Sequence, residues 1–70
     1  MQDICAYRIE VWGQVDKDDL NTKTPLEINM VRVGTETTLF TIRADQSGLI
    51  GLLRHLHGRG FVLLSVTRER

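Results

Sequence analysis

Seventy residues make one small domain, close to the size at which a single apolar core only just holds a fold together. Nine basic residues balance nine acidic ones, so neither a nucleic-acid surface nor an anionic membrane is the expected partner. Cys5 is the only cysteine, which excludes an internal disulfide, and no apolar run approaches the roughly 20 residues of a membrane span, so a soluble cytoplasmic protein is expected.

From Ile4 to Val15, Cys5, Tyr7, Ile9 and Val11 alternate with Ala6, Arg8, Glu10 and Trp12, the pattern of a strand with one buried face. Trp12, the only tryptophan, falls on the mixed face, where an aromatic ring either covers the sheet or serves an interface. Residues 14–26 hold the polar run DKDDLNTKTP and read as a loop that Pro25 closes, solvated and mobile because nothing in it is cheap to bury. Asp16, Asp18 and Glu27 fall at positions 1, 3 and 12 of a calcium loop. However, Leu20 stands where a ligand oxygen belongs and Asn21 where the turn needs glycine, so no metal is expected. Glu27 to Gly34 is a second strand, and the short turn Gly34-Thr35-Glu36-Thr37 folds it back as an antiparallel hairpin with the next. In that strand Ile28 and Met30 point one way, Val31 and Val33 nearly the other.

Residues 38–67 form the central unit, reading as strand, helix and strand. Phe40, Ile42 and Ala44 share one face of the strand, Leu39, Thr41 and Arg43 the other. The period then changes: Leu49, Ile50, Leu52, Leu53 and Leu56 fit the stripe of a helix with one buried side. Asp45 and Ser47 are suitable N-caps, and Gly58 and Gly60 offer left-handed stops. Phe61 to Val66 is almost continuously apolar, which predicts a strand covered on both faces or set in the middle of the sheet. Strand, crossover helix and strand predict a right-handed β-α-β unit with its two strands parallel.

The run from Ile42 to Val66, with Asp45, Gly48, Leu49, Leu52, Leu56, Gly60, Leu64 and Val66, resembles the first β-α-β segment of ACT domains, small ferredoxin-like regulatory modules. Ser47 stands where that family's turn commonly carries proline, and the glycine after it is kept as Gly48. The resemblance implies a non-enzymatic regulatory or small-ligand-binding module that pairs as a homodimer and takes a small anionic or amino-acid-like effector at the junction. The closing strand also resembles that of small bacterial proteins without an assigned activity.

Few residues are arranged for chemistry. His55 and His57 are two apart, so on a helix they diverge by about 200° and cannot share a metal. No Gly-x-Ser-x-Gly frame surrounds Ser47 or Ser65, and the glycines form neither a P-loop nor a dinucleotide fingerprint. Arg54, His55, His57, Arg59, Arg68 and Arg70 make at most a modest basic edge without interleaved aromatics. No catalytic residue and no cofactor is expected. The turn Asp45-Gln46-Ser47-Gly48 is the candidate ligand site, since it joins the end of a strand to the start of a helix, where amides and dipole favour an anion.

The fold predicted is α+β: a four-stranded, mainly antiparallel sheet, in order β-β-β-α-β, with one helix on one face. One helix cannot cover such a sheet, so a homodimer is expected through Trp12, Met30, Val31, Leu39 and Val62. The alternative is an assembly subunit without any small-molecule ligand.

Overall fold

The alternation read from the sequence emerges as four strands and one helix in a computed structural model that describes residues 4–15, 20 and 27–69. They are β1 (Cys5–Trp12), β2 (Glu27–Val33), β3 (Thr37–Ala44), α1 (Gln46–Gly58) and β4 (Val62–Glu69). The sheet runs β2-β3-β1-β4 with every neighbouring pair antiparallel, so the fold is α+β as expected. The turn at Gly34, whose N–H donates to Thr37 O at 2.9 Å, joins β2 and β3 as the expected hairpin.

β3 and β4 both run opposite to β1, so they point the same way. They do not touch, because β1 lies between them and bonds to each. This is the split form of the β-α-β unit.

One expectation fails here. β4 is neither central nor covered: it is an outer strand, and Val62, Leu63, Leu64 and Val66 are 57, 45, 46 and 36% exposed. A continuous apolar run reports that a strand can be buried, not that the chain supplies the cover. Here the helix covers the inner strands β1 and β3 and leaves the side chains of β4 open.

The core lies between the helix and one face of the two inner strands. Ile9 faces Phe40, Tyr7 faces Ile42 and Val11 faces Thr38 across the ladder, and Leu52 and Leu56 press on them from α1. Leu49 and Leu53 complete the stripe at its margins, whereas Ile50 is turned out and exposed. Burial of each large side chain in this layer is worth about 1.5–3 kcal/mol before entropy is subtracted.

The helix is closed at both ends. Asp45 caps its start, and at its finish the Gly60 N–H donates to His57 O at 3.0 Å while Phe61 N–H donates to Leu56 O at 3.1 Å. These are the paired bonds of a Schellman motif, which needs the left-handed φ of +87° that Gly60 adopts. Phe61 is thereby returned to the core above Leu56.

The loop reading needs one amendment. Residues 16–19 and 21–26, with the Asp16 and Asp18 positions and Pro25, lie outside the described residues, so the mobility expected there does too. Leu20 is described, and it is a core residue with 1% of its surface exposed. A single aliphatic anchor in a polar run has no periodicity to reveal it.

Thr38 is the one buried polar side chain among the described residues, and it ties the end of β1 to β3. Its hydroxyl donates to Gly13 O at 2.7 Å and accepts from Val15 N–H at 3.0 Å. Gly13, at φ +105°, makes the bend that brings both groups to it. Thr38→Val keeps the shape but orphans a buried donor and acceptor, and should cost about 1–3 kcal/mol in urea unfolding, whereas Thr38→Ser should recover most of it.

Candidate functional site: a capped turn and an apolar outer strand

The Asp45–Gly48 turn forms as expected at the junction of β3 and α1. The Asp45 carboxylate accepts from Gly48 N–H at 2.7 Å, and Leu49 N–H donates to Asp45 O at 3.0 Å. The backbone of Asp45 is extended, as an N-cap requires. Gln46 and Ser47 are exposed and Gly48 is half-buried. The Gly48 amide is therefore occupied by the chain's own carboxylate, which already places a negative group at the positive end of the helix.

The five candidate interface residues do not form one surface. Trp12 and Val62 are neighbours in register and make an exposed corner on the face away from the helix. Leu39 lies one row further in on that face, opposite Glu10 on one side and Arg32 on the other. Arg32 and Glu10 approach to 3.8 Å, so this ion pair straddles the half-buried Leu39. Met30 faces the other way: it pairs with Phe40 and packs against the core. Val31 is the extra residue where the β2–β3 register shifts, on the far outer strand.

That open face is otherwise charged. Arg8 meets Glu69 at 3.1 Å and Arg43 meets Glu27 at 3.6 Å, each across neighbouring strands. Exposed pairs of this kind add little stability, but they keep the face wetted. The Trp12–Val62 corner and the Asp45–Gly48 turn sit at opposite ends of the sheet, since Trp12 ends β1 where Ala44, beside the turn, pairs with its first residue, Cys5. An eight-residue strand separates them by about 23 Å.

What the sequence concealed is the concentration of apolar surface on β4, where Val62, Leu63, Leu64 and Val66 stand exposed on one strand with Trp12 beside them. The run of aliphatic residues carries the signal, but apolarity alone does not distinguish a covered strand from an exposed one.

The titratable side chains are dispersed. Among the described residues no three of His, Cys, Asp or Glu come together as metal ligands. His55 is half-buried and His57 exposed near the end of α1. No described helix is long and apolar enough to cross a membrane.

Fold and surface thus define a small α+β domain with one apolar outer strand. The chain belongs to the family described as domain of unknown function DUF8691, whose model matches residues 6–67, from the second residue of β1 to two residues short of the end of β4. Comparison with curated proteins and with solved structures gave no match.

The cap reading of the turn is testable by itself. Asp45→Ala should lower stability by about 1 kcal/mol in chemical denaturation, and Asp45→Asn, which keeps an acceptor for Gly48 N–H, should lose only a fraction of that.

Proposed function

We propose that this domain is a non-enzymatic interaction module that works as a homodimer, the assembly itself being its product. The observation that supports the reading is the outer strand β4, whose four aliphatic side chains stand a third to more than half exposed with Trp12 adjoining. Contiguous apolar surface of this kind usually marks a contact with another protein. Two-fold pairing covers the same patch on both copies and is the commonest closed symmetry. The lone Cys5 supports a reducing, cytoplasmic setting.

The resemblance to ACT domains also favours pairing, and it would add a small anionic or amino-acid-like effector. The bond from Gly48 N–H to the Asp45 carboxylate weighs against that addition, because an incoming anion meets a negative charge at the helix start. The assembly reading is therefore preferred to the small-ligand one.

Light scattering of the purified chain, at concentrations on the order of tens of micromolar, should give about 16 kDa, twice the 8.0 kDa of one copy. Leu64→Lys should weaken the dimer roughly tenfold or more, since a lysine on an outer strand opposes pairing. Arg54→Ala, on the exposed side of α1, should leave it unchanged. A single 8 kDa species for the unaltered chain overturns the reading.

A further inference from the structure

We infer that the two copies meet edge to edge, β4 against the β4 of a second copy and antiparallel to it, so that two four-stranded sheets become one of eight strands. This mode of contact rests on the homodimer proposed above.

The exposed side chains of β4 lie on both faces of the sheet. Leu63 and Val66 pair with Val11 and Ile9 and so share the helix side, whereas Val62 pairs with Trp12 on the open side. A partner laid flat on either face covers one set and leaves the other in water. A strand added at the edge covers both, because its own side chains alternate between the same two faces.

The backbone makes the same demand. Among the described residues β4 bonds to β1 alone, so its outward N–H and C=O groups form an open row. Outer strands are ordinarily protected by charge. β2, the other outer strand, follows that rule with Glu27 and Arg32, whereas Val62 to Thr67 carries no charge over six residues.

Charge also selects the occupant and its direction. The partner strand must be uncharged in its middle and apolar toward both faces, which β4 itself satisfies. Antiparallel pairing sets Arg68 and Glu69 beside the uncharged first half of the second copy's strand. Parallel pairing in register would set Arg68 against its own copy and Glu69 against its own, which is destabilising. The register shift in the β1–β4 ladder leaves Leu64 as an extra residue, and a bulge of this kind bends a strand. Ser65 to Glu69 remain in regular register with β1, so the two-fold axis falls in that half, beside Val66.

Two measurements on the whole chain test the inference. The first is amide exchange by NMR on the unaltered protein at low and high concentration. At a total concentration about one hundred times the dissociation constant about 7% of the chains remain monomeric, so the outward amides of β4 should exchange about fifteenfold more slowly than in the monomer. The second uses Cys5→Ser chains carrying one new cysteine each under mild oxidation. At least one of Ser65→Cys, Val66→Cys and Thr67→Cys should cross-link, while Val62→Cys and Glu69→Cys should not. Cross-linking at the ends as well as the middle would show parallel pairing and overturn the direction. A dimer by light scattering with fast outward amides and no cross-link in mid-strand would overturn edge pairing while leaving the homodimer standing. A monomer throughout removes both, and slow outward amides in a monomer that gains mass only with an added extended peptide would assign the edge to a foreign strand.

Discussion

A thirteen-residue helix is about 20 Å long and 10 Å wide, and four strands span about 19 Å. This mismatch governs the molecule. The helix can seal the two inner strands, and there Ile9, Val11, Phe40 and Ile42 lose all or nearly all contact with water. Beyond them its cover thins, and each outer strand must meet solvent by other means. β2 does so with Glu27, Asn29 and Arg32 on its outer face. β4 has no such provision along most of its length, and Val62, Leu63, Leu64 and Val66 stand in solvent.

The uncovered face of the sheet follows a different solution. Ion pairs tie β1 to β4 and β2 to β3, and Arg32 reaches across β3 to Glu10 with Leu39 beneath. Such pairs contribute little to stability, but they replace an apolar face by one that water tolerates. The need for cover is thereby moved from the breadth of the face to one edge and one corner, where Trp12 meets Val62.

Much of this was legible in the residues because side-chain period is a local property. The alternation around Ile9 and Phe40, the stripe from Leu49 to Leu56 and the Asp45 cap each involve neighbours within a few positions, and each appears in the fold. What escaped depends on long-range placement. Leu20 is one buried side chain inside a polar run, and nothing next to it in sequence announces the core it joins. Met30 and Val31 seemed equally available because the register shift between Met30 and Arg32 is set by pairing with β3, not by β2 alone. The position of β4 was misjudged because a sequence states how apolar a strand is, and only sheet order states what lies beside it. Exposed apolar sheet surface was legible as a type of feature, but its place on β4 was not.

The strand order also has a kinetic consequence. β2 and β3 are joined by a tight turn and can pair as soon as both exist. β1 and β4 must find each other from opposite ends of the chain: Arg8 and Glu69, which bond in the finished sheet, are 61 residues apart. Closing so long a loop costs entropy before any contact repays it. Domains dominated by such pairings fold in milliseconds to seconds, not microseconds. The β2–β3 hairpin and the helix are then the early structure, and β1 stays open on one side until β4 docks. Of the two outer strands β4 is thus the later to arrive, and until it docks its neighbour β1 presents an open edge on the folding chain.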